Sequence, residues 1–326
     1  MVTPNSSFDE LASITISNYS DTLRDNVSNN IPLYAFMDDT GAIVEEDGGI
    51  YLLENLDFGD NATFKWFNGY EEISTTPSEV FTTANFDWKE CGGNVVFNRR
   101  EVAQNSGRSK RHDLIKNRTV NLERTMRNNI GAAQFYIGTE SDGKAFGGLQ
   151  YLIADDPTTG IVGGINRATT GNEFWRNQVV SEATDSITLS KTTIQDAMEL
   201  AWIRATRGMD VPKLWVYGNT YWRYFAASVN DNQRYVRDSG GNSKTAKTSF
   251  PYYMFKTAKV FHDPNAGATR GYGINTDYLK IKVHKDRNMI PDKPRYPSSQ
   301  RATVIPIDYM ANMVCGNCSL QVVMKP

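Results

Sequence analysis

The chain has few of the residues that most often carry chemistry. Its 326 residues include three cysteines and three histidines. An odd cysteine count argues against a disulfide scaffold and indicates a reducing compartment. Cys315 and Cys318 have the spacing of a zinc half-site or a redox pair, but a structural zinc site needs four ligands. Because both flanks have strand character around Gly316, we interpret the pair as inert thiols in a hairpin, with no metal and no cofactor.

Long apolar runs are also missing. The N-terminal residues Met1 to Asn5 lack the basic region and apolar run of a signal peptide. No stretch approaches the roughly 18 consecutive apolar residues of a membrane helix. With 40% hydrophobic and 22% charged residues, the composition is that of an ordinary globular protein. We therefore expect a cytosolic, soluble chain with no membrane partner.

Catalytic motifs are fragmentary. Asp238-Ser239-Gly240-Gly241 resembles the neighbourhood of a serine-protease nucleophile, but the glycine before the aspartate is missing and no histidine is marked as a triad partner. Ser243 to Thr245 lacks the glycine before the lysine that a phosphate-binding loop requires. Asp155 and Asp156 precede a proline, where acidic turn residues are common. The sequence therefore predicts that the chain is not an enzyme, and a hydrolase using the Ser239 loop stays as an alternative.

Charge of either sign is unevenly distributed, although the net charge is only −2. Residues 31 to 75 contain ten acidic residues and one basic residue, Lys65. Residues 99 to 127 contain nine basic residues and three acidic ones. Such segregation favours contact between the two segments, within or between subunits. Two independent solvated faces are the alternative, because exposed charge pairs are weak.

The feature that is most clearly present is a long amphipathic helix. Apolar positions follow one another in steps of three and four, which is the spacing of a single helical stripe: Ile115, Thr119, Leu122, Met126, Ile130, Ala133 and Ile137. Asn105 and Ser106 offer N-cap oxygens, and Gly138 suits a left-handed C-terminal residue. A helix of about 28 residues would be about 42 Å long. The opposite face is polar and basic, so diffuse contact with nucleic-acid phosphates is a second use for it.

Strand patterns flank this helix. Ala62 to Phe67 and the residues from Glu79 onward predict a long hairpin, in which Thr82, Ala84 and Phe86 share one face. Such a hairpin cannot bury a core of its own. Leu214 to Tyr217 predicts a buried strand, and Tyr278 to His284 alternates between apolar and polar residues.

A second helix is predicted from Thr192 to Gly208. Thr192 and Gln195 have the spacing of a capping box, and the apolar residues from Ile194 to Ala205 keep a helical period. Gly208 and Pro212 end the helix. Since strands return near the C-terminus, the unit at about 145–290 is interpreted as an insertion into a discontinuous domain, with the returning strands packed on the long helix.

The order and spacing of several segments resemble those of the major capsid proteins of tailed bacteriophages with the Hong Kong 97-type fold. The resemblance covers the chain from about Phe86 onward and is carried by the following segments: Asp87-Trp88-Lys89, the helix after Asn105-Ser106-Gly107, Phe146-Gly147-Gly148-Leu149, Gly163 to Arg167, Phe174 to Asn177, the helix ending at Gly208, and Met310 to Val314.

The resemblance implies an α+β capsid fold with a long spine helix, an extended β-hairpin loop and an inserted α/β axial domain. The implied division is an N-terminal arm (1–45), the extended loop (46–98), a peripheral domain (99–144 and 291–326) and the axial domain (145–290). Pentamers and hexamers would then tile an icosahedral shell around double-stranded DNA, with the extended loop reaching a neighbouring subunit.

The same resemblance implies partners and a location. Without a long helical extension, assembly would use a separate scaffolding protein, and a portal, a decoration protein and non-specifically bound DNA would be further partners. The location would be the virion capsid, assembled in the host bacterial cytoplasm. A lysine cross-link is not predicted, since no motif marks a partner for Lys65 or Lys89. An encapsulin-like compartment with the same fold is the alternative.

The charge segregation gives a hypothesis about the contact between subunits. Acidic residues of the segment Asp38 to Glu72 would pair with basic residues of the spine helix of an adjacent subunit. The candidate contact residues are Asp57, Asp60, Lys65, Glu71 and Glu72 on the loop, and Arg111, Arg118 and Arg124 on the spine.

Overall fold

The computed structural model describes residues 31–98, 100–101, 114–232, 251–297 and 302–326. The principal helices are α1 Pro32–Asp39, α2 Leu114–Ala133, α3 Leu149–Leu152, α4 Glu182–Asp185, α5 Ile194–Arg204 and α6 Asn219–Asn232. The first seven strands are β1 Ile43–Glu46, β2 Tyr51–Asp57, β3 Phe81–Asp87, β4 Lys89–Asn98, β5 Ile161–Val162, β6 Ile165–Asn166 and β7 Gln178–Ser181. The remaining strands are β8 Leu214–Tyr217, β9 Tyr253–Phe255, β10 Ala258–His262, β11 Gly271–Ile274, β12 Leu279–Pro291, β13 Ala302–Cys315 and β14 Val322–Lys325.

The described residues form two compact units. The first unit takes residues from Glu90–Ile130 and Asp286–Met310, and the second takes Ile31–Lys89, Gly131–Lys285 and Ala311–Pro326. These limits differ from the domain limits drawn from the sequence, which stay a prediction. No helix among the described residues is both long and apolar enough to cross a membrane.

The first unit packs the N-terminal part of α2 on a sheet formed by β4 and the adjoining parts of β13 and β12. Two consecutive glycines let β4 approach both neighbours closely. A Cβ atom on Gly92 would lie 2.5 Å from Oδ1 of Asp308, and one on Gly93 would lie 2.4 Å from a methyl carbon of Leu122. Because real Cβ atoms do not approach so closely, larger residues would push the strand away from β13 or from α2.

The second unit is built around a mixed six-stranded sheet with the order β7-β14-β11-β8-β10-β9. Helices α5 and α6 cover it and bury a core in which Met198, Trp215 and Phe225 are at most 2% exposed. Helix α1 adds a second contact, since the rings of Phe36 and Phe261 lie 4.2 Å apart. The predicted strand Leu214–Tyr217 is confirmed and is fully buried. The alternation of Leu279, Ile281 and Val283 with polar residues is confirmed as well.

The C-terminal strand does not follow the predicted return to the long helix. Strand β14 lies inside the six-stranded sheet, parallel to β7 and antiparallel to β11. Val322, Val323 and Met324 are all fully buried. A continuous apolar run of this kind suits a central strand covered on both faces, and this explains why β14 joins the larger sheet.

The long helix is confirmed over Leu114–Ala133, where Met126, Ile130 and Ala133 are buried as predicted. Its predicted caps at Asn105 and Ser106 lie outside the described residues. The predicted end at Gly138 is wrong. The chain leaves the helix after Ala133 because the carbonyl of Gln134 accepts a hydrogen bond from the amide of Leu149 at 2.7 Å.

Two residues beyond this helix end differ from their predicted roles. Gly138 does take a positive φ of 88°, but it does so in the turn after the helix. The last residue of the predicted apolar stripe, Ile137, is 52% exposed. Glu140 stabilises this turn by accepting hydrogen bonds from the amides of Ile137 and Gly138.

The capping box of the second helix is absent. Helix α5 begins at Ile194 with Thr193 as its N-cap, and no side chain caps it. The hydroxyl of Thr193 instead donates to the carbonyl of Thr188 at 2.6 Å and accepts from the amide of Ser190. Its hydrogen-bonding capacity is thus used by the preceding turn. The predicted helix end at Gly208 is wrong, because α5 ends at Arg204 with Ala205 as its C-cap, and Gly208 takes its positive φ in the turn beyond.

Candidate assembly surfaces

A long hairpin of the second unit is the most extended feature of the described chain. Its strands β2 and β3 pair in antiparallel register from Tyr51 opposite Asp87 to Asp57 opposite Phe81. The predicted strand at Ala62 to Phe67 is wrong, because residues 58–80 form turns and irregular chain between the two strands. We call β2 and β3 the hairpin root and residues 62–77 the hairpin tip.

The hairpin root packs on its own subunit through one face. Leu52, Leu56, Ala84 and Phe86 point inward and are at most 4% exposed, as the alternating pattern of β3 predicted. The amide of Asn85 donates to the carbonyl of Gly163 at 2.9 Å. The root is therefore fixed by burial and by a backbone hydrogen bond.

Gly163 makes this contact possible. Its φ is +59°, and a Cβ atom at this position would lie 2.9 Å from Cβ of Ala84 and 3.0 Å from Cζ of Phe86. An L-residue would thus meet both a disfavoured backbone conformation and a steric collision. The glycine lets β3 lie against the loop between β5 and β6.

A partly buried charge cluster fixes the other strand of the root. Nζ of Lys282 lies 2.8 Å from Oε1 of Glu54 on β2 and 3.0 Å from Oε1 of Glu46 on β1. Burial alone would lower the pKa of Lys282, but hydrogen bonds to the two glutamates raise it above its usual value. The ammonium therefore stays charged and links the sheet strand β12 to the hairpin.

The hairpin tip is held by few contacts of its own. Ser78 donates to the side-chain oxygen of Asn61 at 3.0 Å, which closes the neck of the loop. Phe58 at the end of β2 stacks on Phe174 with ring centroids 5.3 Å apart.

Beyond this neck, the tip exposes large apolar side chains. Trp66 is 90% exposed and Tyr70 is fully exposed. The others are Phe64, Phe67 and Ile73. Such a group of exposed aromatic residues marks an interaction surface. Sequence reasoning missed it because the residues from Ala62 to Phe67 were read as strand.

The acidic contact residues predicted from the sequence lie along this tip, its neck and the end of β2. Asp57, Asp60, Glu71 and Glu72 are all exposed. Lys65 lies 3.4 Å from Glu71, and both side chains are at least 41% exposed. The tip therefore combines aromatic side chains with negative charge.

The basic contact residues lie in the first unit or outside the described chain. Arg111 is outside the described residues. Arg118 on α2 donates from Nη1 to the carbonyl of Val96 at 2.9 Å and to Oε2 of Glu101 at 3.0 Å. Arg124 is half-buried on the same helix. Arg118 thus already has a carboxylate partner within its own chain.

The other residues that the sequence suggested for chemistry have structural roles, as far as they belong to the described part of the chain. Asp155 pairs with Arg270, and Asp156 accepts from the amide and hydroxyl of Thr158, which lower the pKa of Asp156. No three metal-binding side chains gather at one place in the described chain. Ser239 lies outside it.

The predicted cysteine hairpin is wrong in its geometry. Cys315 ends β13, Cys318 begins a 3₁₀ turn (Cys318–Leu320), and β14 then pairs with other strands. Both thiols are fully buried and free of a disulfide bond. The turn between them redirects the chain into the six-stranded sheet.

The helices and sheets of the described chain form the α+β Hong Kong 97-type fold that is found in tailed-phage capsids. The chain resembles the capsid asymmetric unit of cyanophage A-1(L) with a TM-score of 0.64 at 12% identity, over 95% of this chain and 96% of that one. It resembles the capsid of the empty GTA particle with a TM-score of 0.61 at 12% identity, over 99% of each chain.

A shell protein from a bacterium has the same fold. The holo-SrpI encapsulin complex from Synechococcus elongatus PCC 7942 matches with a TM-score of 0.53 at 7% identity, over 100% of this chain and 96% of that one. No family model and no curated protein matches the chain. At such low identities the likeness establishes the fold, and the activity has to be argued from the surfaces.

Proposed function

We propose that this chain is the major capsid protein of a tailed phage, which assembles as pentamers and hexamers into an icosahedral shell around double-stranded DNA. The observation that carries the proposal is the exposed hairpin tip, because a soluble monomer rarely presents so many aromatic side chains together. The capsid fold of the solved structures that resemble it supports the same function. The role is structural and requires no enzymatic activity.

The tip contact follows from this function. The aromatic residues of the tip supply the apolar part of a contact with a neighbouring subunit, and its acidic residues approach the basic spine helix of that neighbour. Arg118 would then share its guanidinium between Glu101 of its own chain and the incoming carboxylates. Arginine suits such sharing because it has five N–H donors in a planar fork.

Further partners belong to the same proposal. Assembly uses a separate scaffolding protein in the host bacterial cytoplasm, and the finished virion adds a portal and decoration proteins. Packaged DNA contacts the shell through basic side chains without reading its sequence, since phosphate contacts carry no sequence information.

Electron microscopy of the purified full-length chain tests the proposal directly. We expect closed particles hundreds of ångströms wide in negative stain, and double-stranded DNA in particles that are isolated from infected cells. A chain that stays monomeric at every concentration, with its scaffolding protein present, would contradict the proposal.

A second candidate is an encapsulin-like compartment, which the likeness to the SrpI encapsulin complex favours. The two candidates differ in what the shell encloses. Particles that co-purify with a protein cargo and without DNA would support the compartment. Particles that protect DNA from nuclease would support the capsid.

A further inference from the structure

The hairpin tip contains the one asparagine of the chain that is followed directly by a glycine, Asn68-Gly69. Both residues are exposed and lie outside the helices and strands. The carbonyl of Asn68 accepts a hydrogen bond from the amide of Glu71 at 3.4 Å, which closes a turn, and Gly69 takes a positive φ of 58° within it. No hydrogen bond holds the side chain of Asn68 among the residues that the structure describes.

An asparagine in front of a glycine can react with its own backbone. The glycine nitrogen attacks the side-chain carbonyl carbon of the asparagine, and a five-membered ring closes. The attack requires a backbone that can rotate and a nitrogen that is not crowded, and glycine has no Cβ beside that nitrogen. Even a Cβ placed on Gly69 would meet no atom within 4 Å, so the surrounding chain does not crowd the nitrogen either.

We propose that Asn68-Gly69 is a site of spontaneous deamidation on the folded chain, with water as the co-reactant. The bond from the Gly69 nitrogen to the side-chain carbon of Asn68 forms, and the side-chain amide leaves as ammonia with the proton of that nitrogen. The product is a succinimide. Water then opens the ring at one of its two carbonyl carbons, which gives aspartate or isoaspartate. The sum is the exchange of one water for one ammonia, without oxidation or reduction.

A second asparagine of the same loop shows why Asn68 is singled out. Asn61 is also exposed, but its Oδ1 accepts hydrogen bonds from the amide and the hydroxyl of Thr63 at 3.0 and 2.8 Å. It also accepts one from the hydroxyl of Ser78 at 3.0 Å. The side chain is therefore held in one position, and Ala62 has a Cβ beside the nitrogen that would attack. Both features slow ring closure, so Asn61 should remain asparagine.

The reaction changes the tip in two ways. It replaces a neutral amide with a carboxylate, which adds to the negative charge of Glu71 and Glu72. Isoaspartate also lengthens the main chain by one carbon between Phe67 and Tyr70, which are 58% and fully exposed. The consequence for assembly rests on the proposed function. Free subunits that have aged should make the tip contact poorly, and burial of the tip between subunits should slow the reaction.

Incubation of the purified full-length chain in mildly alkaline buffer tests the site. Peptide mapping should find the Asn68 peptide heavier by one mass unit, as two isomers that chromatography separates, and the Asn61 peptide unchanged. A synthetic peptide of residues 62–77 gives the rate of the unfolded sequence, and the folded chain should react at a similar rate. Asn68→Gln is the matched control, because it keeps the amide but would have to close a six-membered ring, which is much slower.

The inference is overturned if Asn68 stays unmodified in the folded chain while the peptide reacts, or if Asn61 reacts as fast as Asn68. The comparison of the two asparagines is made within one molecule, so it gives this answer even where Asn68→Gln does not fold.

The effect on assembly is measured separately. Fresh wild-type chain shows whether particles form at all, which tests the proposed function. Aged wild-type chain should then lose particle yield, while aged Asn68→Gln should keep it. Equal losses in both would overturn the effect of the modification on the tip contact.

Discussion

Nζ of Lys282 lies 2.8 Å from Oε1 of Glu54, which joins a sheet strand to the root of the extended hairpin. The same ammonium lies 3.0 Å from Glu46, and the lysine side chain is only 12% exposed. Two carboxylates thus depend on one partly buried cation. This cluster adds to the burial and the backbone hydrogen bond that hold the hairpin root in its own unit.

Replacing Lys282 with an uncharged residue should destabilise the hairpin root. We expect Lys282→Met to lower the free energy of unfolding by about 1–3 kcal/mol, because two carboxylates lose their partner. Lys285→Met is the matched control, since Lys285 and Asp47 lie 3.7 Å apart and are at least 63% exposed. The control should change stability by less than about 0.5 kcal/mol. Equal losses in a denaturant titration would show that the cluster has no special role.

Alanine substitutions at Gly163 and Gly164 distinguish the cost of a steric collision from the cost of a strained backbone. Both have positive φ, but only Gly163 has side-chain atoms within 4 Å of its added Cβ. Gly164→Ala should cost about 1 kcal/mol from the left-handed backbone. Gly163→Ala should cost about 1–3 kcal/mol more, because the new methyl group collides with Ala84 and Phe86. Thermal melts of the two variants measure the difference, and a smaller loss for Gly163→Ala would contradict the packing of the root.

The exposed tip should matter for assembly and not for folding. We expect Trp66→Ser and Tyr70→Ser to abolish or strongly reduce particle formation, while the unfolding free energy stays within about 0.5 kcal/mol. Met209→Ser is the control, because Met209 is 98% exposed on another loop of the second unit. Sedimentation of assembly reactions checks this prediction. Normal particles from both tip variants would place the contact elsewhere.

The ion pair between Asp185 and Arg204 contributes to stability in a way that should depend on pH. A hydrogen bond from Arg204 outweighs burial and lowers the pKa of Asp185. Since the folded pKa is below the unfolded one, the stabilisation is present above the usual aspartate pKa and is lost as pH falls through the lowered value. We expect Asp185→Asn to cost about 1–3 kcal/mol at neutral pH.

The difference in unfolding free energy between wild type and Asp185→Asn should disappear at acid pH. Unfolding titrations from neutral pH to below the lowered pKa of Asp185 measure this convergence. A constant difference across that range would mean that the loss comes from packing alone.

Raising the salt concentration should weaken the contacts between subunits more than it weakens the fold of one subunit. If acidic tip residues meet the basic spine of a neighbour, raising the salt concentration to about 1 M should weaken assembled particles, because exposed charges are then screened within about 3 Å. The melting temperature of the unassembled chain should change less. Particles whose dissociation is independent of salt would contradict the charge-pairing hypothesis for Arg118 and Arg124.

Sequence reasoning succeeded where local pattern determines the outcome. The stripe of α2 and the alternation along β12 follow from periodic burial, and both are found. The order and spacing of segments also predicted the Hong Kong 97-type fold. The two periodic features depend on neighbours within one element, so a single sequence contains them.

Sequence reasoning failed where a distant part of the chain determines how an element ends or which strands it pairs with. The end of α2 depends on the bond between Leu149 and Gln134, and the place of β14 depends on β7 and β11. None of these contacts leaves a periodic signal, so local pattern could not reveal them.

The tip also sets a condition on how the chain is produced. A subunit that has folded but not yet met its neighbours presents Trp66 and Tyr70 to water, and exposed groups of this kind promote aggregation. If the chain assembles as proposed, free subunits therefore have to be consumed about as fast as they are made. When synthesis outpaces shell growth, we expect the excess to accumulate as insoluble protein.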